Sequence, residues 1–273
     1  MKILQYIKVI LICGFPIIFY HIFYMCRYAR HPEKYPFEKR YKVARKEIRF
    51  VFKHFHVDYK LENYEMFTNL DEKCLIISNH YSLFDPLALI AASEKPLTFV
   101  CKKEVLKMPF AGKIAKALDC FPIDRSNLMS QFSTIKNVVN YLKDKNKPSV
   151  LIFIEGTRNK DPGTPCLEFH PGTLKISQMA GVPLLVGATF GSFRILDKKC
   201  HIKKYPYFFK LFRKLSVEEA KSYNTTELAP VLQKETDDAV NLLRIMDKDY
   251  IYNLKISDKK KKLETRFDVS VNS

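Results

Sequence analysis

A histidine and an aspartate five residues apart, His80 and Asp85, follow an apolar run in the segment Asn79-His80-Tyr81-Ser82-Leu83-Phe84-Asp85-Pro86. A carboxylate that accepts from an imidazole Nδ1–H fixes the ring tautomer, leaves Nε2 to take a proton, and stabilises the imidazolium that forms. Such a pair can serve as a general base. The plainer reading is a capping aspartate beside an incidental histidine, because Asp85-Pro86 is a good helix start by itself. Ser82 lies two residues from His80 within the turn and is badly placed to reach Nε2, and no other Ser or Cys stands out as a covalent nucleophile. Direct attack by a substrate hydroxyl, with His80 as base, is the simpler chemistry.

Two further polar clusters close apolar segments. Asp124-Arg125 ends LDCFPID, and Glu155-Gly156-Thr157-Arg158 follows VLIFI; Lys103 lies just past LTFVC. In open α/β sheets, sites assemble at the C-terminal ends of strands. A guanidinium fork suits bidentate binding of phosphate, and a lysine offers a point charge. Taken singly, each of these cations reads as a surface charge. Gly156 lets the backbone approach a ligand closely. A carboxylate at the position of Glu155 is expected to pair with a nearby arginine or with the turn backbone. A metal role for Glu155 and Asp85 is open but weakly supported, because no spaced set of ligands accompanies them, and no residue pattern calls for a cofactor.

The elements that must position these residues are legible as short apolar runs separated by helical spacing. CLIIS (Cys74–Ser78), LTFVC (Leu97–Cys101), VLIFI (Val150–Ile154) and PLLVGA (Pro183–Ala188) read as buried strands. Residues 85–93, 104–118, 127–144 and 172–180 have helical periodicity between them, and the alternation argues for an α/β layer fold. Residues 226–249 read as a long amphipathic helix capped by Thr226. No internal repeat, P-loop or GxGxxG pattern is present.

The chain has 273 residues and a formal charge of +17, which points to nucleic acid, an anionic membrane or a phosphorylated substrate. Residues 1–60 hold thirteen Lys and Arg against four acids, so more than half of the excess lies beside the most apolar stretch. That favours a membrane surface over nucleic acid. Val9–Cys26 carries no formal charge and spans roughly 27 Å as a helix, slightly short of a bilayer core. Pro16 beside Gly14 leaves a span, a re-entrant anchor and an in-plane anchor all open, with a buried core helix or a signal peptide as the competing readings. Phe37, Tyr41, Ala44, Ile48, Val51 and Phe55 give residues 36–55 one apolar face and a basic opposite face, which suits either membrane-surface binding or packing on the domain. Lys203–Lys214 (KKYPYFFKLFRK) mixes aromatic and basic residues and reads equally as a nucleic-acid surface or a second membrane-contact patch. The tail from Ser257, with Lys259–Lys262 consecutive, is expected to be solvated or to lie on anionic lipid. Seven scattered cysteines without C-x-x-C spacing suit a reducing compartment.

With these residues assembled, the chain resembles the glycerolipid acyltransferase family, typified by bacterial 1-acyl-sn-glycerol-3-phosphate acyltransferase. NHYSLFDP is similar to the family's first motif, N-H-x-x-x-x-D. Phe121–Arg125 (FPIDR) resembles the second, Phe153–Arg158 (FIEGTR) the third, and Val182–Ala188 (VPLLVGA) the proline-containing fourth. Lys103-Glu104-Val105-Leu106, with Pro109 and Gly112, resembles the segment between the first two, Val105 standing for the usual leucine. The resemblance covers about residues 74–190, in the family's order. The chain is read as an N-terminal membrane-anchoring segment (1–30), a basic amphipathic helix (31–56), an acyltransferase catalytic domain (57–250) and a basic tail (251–273); the resemblance implies a mixed β-sheet flanked by helices and says nothing of the 36–55 segment or the tail. It implies His80 as general base and Asp85 as its orienting partner. Lys103, Arg125 and Arg158 would hold an acceptor phosphate, Glu155, Gly156 and Thr157 would shape the acceptor pocket, and Pro183 would support the site; Gly172 and Lys175 match less firmly.

The activity implied is acyl transfer from acyl-CoA or acyl carrier protein to the sn-2 hydroxyl of lysophosphatidic acid, giving phosphatidic acid, at the cell membrane with the catalytic domain on the cytoplasmic side. No nucleic acid partner is implied. Glycerol 3-phosphate or another lysophospholipid remains open as the acceptor. In a different class stands a non-catalytic membrane-surface binding protein on the same scaffold, which the intact His80, Asp85 and arginines disfavour.

Overall fold

The protein, seen as a computed structural model, is a mixed α/β structure with seven strands among the described residues. The structure describes Gly14, residues 18–195, Asp197, Cys200 and residues 202–265. In chain order, a π-helical turn (His21–Met25) runs into α1 (Cys26–Arg30), followed by α2 (Phe37–His54), β1 (Val57–Glu62), α3 (Glu65–Thr68), β2 (Leu75–Ser78) and α4 (Phe84–Ala92). Next come β3 (Leu97–Lys102), a 3-10 segment (Lys103–Lys107), α5 (Ala111–Ala117), β4 (Phe121–Ile123), α6 (Leu128–Lys143) and β5 (Ser149–Phe153). The chain ends with α7 (Pro171–Ala180), β6 (Leu184–Phe190), a 3-10 turn (Ser192–Arg194), β7 (Tyr205–Leu215), α8 (Val217–Ser222), α9 (Thr225–Tyr252) and α10 (Asp258–Glu264). The described residues fall into two compact units: those up to Phe55 with Leu89–Leu151, and His56–Ala88 with those from Ile152 onward.

In the first unit β5, β3 and β4 run parallel, with Leu97 opposite Ser149 and Val100 opposite Phe121. Helix α2 buries Phe37, Tyr41, Ala44, Ile48 and Phe52. Phe52 takes the place expected of Val51, and Arg40, read as polar-face, is buried as well. Arg40 bonds both oxygens of Asp119 at 2.9 and 3.0 Å and the Tyr35 carbonyl at 3.0 Å, so its charge is paired and its fork filled. The exposed face of α2 is mostly basic: Lys39, Lys42, Lys46, Arg49 and Lys53 recur at intervals of three and four, with Glu38 an exposed acid in the first turn. The expected helix over 104–118 is broken, because Pro109 ends the 3-10 segment and α5 begins afresh. Gly112 permits this return, since a Cβ there would lie 2.7 Å from the Leu106 carbonyl oxygen.

In the second unit the strand order is β1-β7-β6-β2, with β7 antiparallel to β6 and the other pairs parallel. All four residues of β2 and all seven of β6 are buried, which explains why both read as unbroken apolar runs. Helix α9 packs on β6 and β7 through Leu228, Leu232, Val240 and Leu243. Its cap is Asn224, whose side chain accepts from Thr226 N at 3.0 Å, so the expected cap residue Thr226 lies inside the helix.

Lys203–Lys214 is not a surface patch. It forms most of β7, where Tyr207, Phe209 and Leu211 are fully buried. Three of its five charges are met by acids distant in sequence: Lys210 by Glu62 at 3.0 Å, Lys204 by Asp58 at 3.3 Å, and Arg213 by Glu235. The tail also departs from expectation, since Glu264 of α10 is buried against Arg194 while the lysines before it stay largely exposed. Of the expected anchor over Val9–Cys26, residues 9–13 and 15–17 lie outside the described residues. Among the described residues no helix is long and apolar enough to cross a membrane. Residues Ile18, Phe19, Ile22 and Phe23 are exposed.

Gly191 turns the chain out of β6. Its φ is +99° and a Cβ there would lie 2.3 Å from the Pro206 carbonyl oxygen, so both conformation and space demand glycine. Gly191→Ala is expected to destabilise the protein by about 3 kcal/mol. That loss corresponds to a fall in Tm on the order of 10 °C. Thermal denaturation within 2 °C of the parent, roughly the size of a neutral surface change, would contradict the assignment.

Candidate active site

Strand β2 ends at Ser78, and the Ser78 carbonyl accepts from Ile154 N at 3.1 Å, just past β5. This one bond sets the first and third motifs side by side. Glu155 then reaches the His80 backbone N–H with Oε1 at 3.0 Å, and Asn159 N donates to the His80 carbonyl at 2.7 Å. The His80 ring stacks on Phe153, with centroids 4.0 Å apart and planes 15° from parallel. The backbone and ring of His80 are thus held on three sides before its acid partner is considered.

Asp85, in the first turn of α4, is fully buried and folds back over the preceding turn. Its Oδ2 lies 2.7 Å from His80 Nδ1 and accepts the N–H groups of Tyr81 and Ser82 at 2.8 and 2.9 Å. Its Oδ1 accepts from Ser192 Oγ. A buried carboxylate needs such partners to remain a stable anion. With Nδ1 engaged, Nε2 is the ring nitrogen left for a substrate proton, and the His80 side chain retains 13% exposure. Ser82 Oγ instead accepts from Phe84 N at 3.2 Å, in line with its exclusion as a nucleophile.

Asn79 has a role that its position in the motif does not reveal. Its buried amide donates to the Thr189 carbonyl at 3.1 Å and accepts from Thr189 N at 2.7 Å, so it pairs with the edge of β6 as a strand residue would. A short apolar run ending in Asn gives no sign of this, because the partner lies 110 residues away. Phe153, Asn159 and Ser192 were missed for the same reason.

The third motif divides by burial. Glu155 meets the turn backbone and no arginine; it is buried, and its Oε2 has no hydrogen-bond partner. That burial pushes its carboxyl up to about 8, against the opposing pull of the His80 N–H. Gly156 takes a left-handed conformation, φ +67°, and a Cβ there would lie 2.8 Å from His170 Nε2. Thr157 and Arg158 are exposed, which leaves Arg158 accessible to an anion.

Lys103 and Arg125 belong to the first unit. Lys103 is ion-paired to Asp124, which holds the Asp124 carboxyl down at about 2 with help from Ser126. Arg125 is exposed, with its carbonyl bound by Gln131 Nε2 at 2.9 Å. Pro183 stands at the opening of β6, its carbonyl accepting from Leu75 N at 3.0 Å, so it registers the start of the β2–β6 pair, away from the end that carries His80. Gly172 and Lys175 are exposed in α7. Among the described residues no group of three His, Cys, Asp or Glu is placed to hold a metal ion.

Several known proteins are similar to this chain. A family model described as Acyltransferase matches residues 58–186. A Mycoplasma pneumoniae protein named probable 1-acyl-sn-glycerol-3-phosphate acyltransferase is 32% identical over 185 residues, covering 65% of this chain and 66% of its own length. The 1-acyl-sn-glycerol-3-phosphate acyltransferase of Escherichia coli is 33% identical over 111 residues, covering 41% of this chain and 44% of its own. The chain therefore spans between about half and two thirds of such relatives. The crystal structure of the 1-acyl-sn-glycerophosphate acyltransferase of Thermotoga maritima shares the fold, with a TM-score of 0.63 at 21% identity over 88% of this chain and 96% of that one. With the four motifs in order and His80 and Asp85 joined as the first of them requires, residues 58–186 match the Acyltransferase family.

Proposed function

We propose that the protein transfers a fatty acyl group from an acyl thioester, on coenzyme A or acyl carrier protein, to the sn-2 hydroxyl of lysophosphatidic acid. The observation that carries this is the 2.7 Å contact of His80 Nδ1 with a fully buried Asp85, which leaves Nε2 as the base. Nε2 takes the proton of the acceptor hydroxyl as its oxygen attacks the thioester carbonyl carbon. A tetrahedral oxyanion forms, the carbon–sulfur bond breaks, and the departing thiolate receives the proton from the imidazolium. Asp85 stabilises that imidazolium while it lasts. The product is phosphatidic acid.

Arg158 is proposed to hold the acceptor phosphate, and its exposure supports a fork free to bind an anion; Arg125 and Lys103 are proposed as phosphate contacts of the first unit by themselves. For Lys103, phosphate would have to replace Asp124 as the partner. Glu155 serves the site through the His80 backbone: neutral at pH 7, it carries no charge to the acceptor. Gly156 and Thr157 complete the turn that presents Arg158.

Attachment to the cell membrane, with the catalytic domain on the cytoplasmic side, is part of the proposal. The basic stripe of α2 and the exposed Ile18, Phe19, Ile22 and Phe23 support it, since a cationic face next to apolar side chains suits an anionic lipid surface.

Three results are expected. His80→Ala should lower kcat for acyl transfer by about 10³-fold in a steady-state assay with lysophosphatidic acid, glycerol 3-phosphate and other lysophospholipids offered beside both thioester donors. Retained activity would remove His80 from the reaction, and preference for another acceptor would replace lysophosphatidic acid.

Arg158→Ala should raise the acceptor KM by about 10-fold or more and leave the donor KM nearly unchanged. Equal losses for both substrates would contradict a phosphate-binding role.

Glu155, with its folded pKa raised, keeps its proton while the unfolded chain ionises, so it lowers stability as pH rises from about 4.5 to about 8. Glu155→Gln, neutral throughout, should therefore show a smaller fall in Tm between pH 5 and 8, with the acceptor KM unchanged. A large rise in acceptor KM with the same pH dependence of Tm would instead make Glu155 a substrate contact.

A further inference from the structure

We propose that Ser192 is a positioning residue for acyl transfer, donating its hydroxyl to Asp85 Oδ1 so that Oδ2 stays aimed at His80 Nδ1. The proposal rests on His80 acting as the base. Asp85 has two oxygens with unlike surroundings. Oδ2 is held by the imidazole and by two backbone N–H groups, all from the same turn. The bond recorded for Oδ1 comes from Ser192, which is 107 residues away in sequence. Both residues are fully buried, so water does not readily replace the hydroxyl if it is removed.

The fold fixes that hydroxyl firmly. Gly191, in the left-handed region against the Pro206 carbonyl, sets the direction in which the chain leaves β6. Two residues beyond Ser192, the buried Arg194 bonds both oxygens of Asp247 at 2.7 Å and the Glu264 carbonyl at 2.9 Å. Phe193, between them, packs edge-on to Phe190 and Tyr81. The 3-10 turn is therefore pinned at both ends, and Ser192 lies at its start. The titratable groups facing Asp85 are His80 on its own turn, Glu155 past β5 and Tyr207 on β7. None of these donates to Oδ1, which leaves Ser192 to hold the plane of the carboxylate.

A role through Asp85 differs from a merely structural one in three readouts. Ser192→Ala, if folded, is expected to lower kcat by about tenfold or more with both KM values unchanged, because only the base is disturbed. In an Asp85→Asn background the same substitution should add little, since its target is already gone. The proton on His80 Nδ1, visible as a downfield ¹H resonance, should be sharp in the parent protein and broadened in Ser192→Ala. This last signal requires no turnover, so it tests Ser192 even if the proposed substrate is wrong. Should Ser192→Ala fail to fold, Ser192→Thr and Ser192→Cys replace it; threonine keeps a strong donor and should retain both kcat and the resonance, and cysteine should lose them. A kcat within twofold of the parent would overturn the proposal. So would an equal loss in the Asp85→Asn background, or a sharp resonance in Ser192→Ala. Failure of the parent protein to acylate any lysophospholipid would instead count against the reading of the activity.

Discussion

A carboxylate placed wholly out of water must be fed with hydrogen-bond donors, and Asp85 organises its surroundings by this requirement. It draws in two backbone N–H groups of its own turn, the imidazole of His80 and the hydroxyl of Ser192. The first pair bends the 79–85 segment into the start of α4. The last joins that segment to the end of β6. On the proposed mechanism, activation of His80 is a by-product of satisfying a buried charge, and the same bonds that hold the local fold set the tautomer of its ring.

Around that charge the second unit supplies rigidity by backbone pairing. Parallel β2 and β6 give the registered platform, and Asn79 extends the pairing one residue past β2 by mimicking a strand partner for Thr189. Glu155 and Asn159 grip His80 at its N–H and its carbonyl, while Phe153 lies flat on its ring. Elements that share a sheet are stiffer than loops, so a base carried at their ends holds its aim without the help of substrate.

The sequence revealed those parts whose signal is local. Four strands and the long C-terminal helix were visible because a buried parallel strand is apolar along its whole length and a helix repeats every three or four residues. His80, Asp85 and the motif order were legible for the same reason. What stayed hidden depends on distant partners. Lys203–Lys214 resembled a surface patch because its cations were visible and the acids that neutralise three of them, Glu62, Asp58 and Glu235, were not. Ser192 sits in an ordinary Gly-Ser-Phe-Arg turn, and only the fold brings it to Asp85. Arg40 and Glu264 look like surface charges until Asp119 and Arg194 are placed beside them.

The central claim is that His80 acts as a base because Asp85 orients its ring and stabilises the imidazolium that forms. Asp85→Asn tests this most directly, since asparagine keeps the shape and an acceptor oxygen while removing the negative charge. The account predicts a folded protein whose kcat falls on the order of 10³- to 10⁴-fold with both KM values little changed. A kcat within tenfold of the parent would show that the buried carboxylate supports the fold alone, and the mechanism built on it would fail.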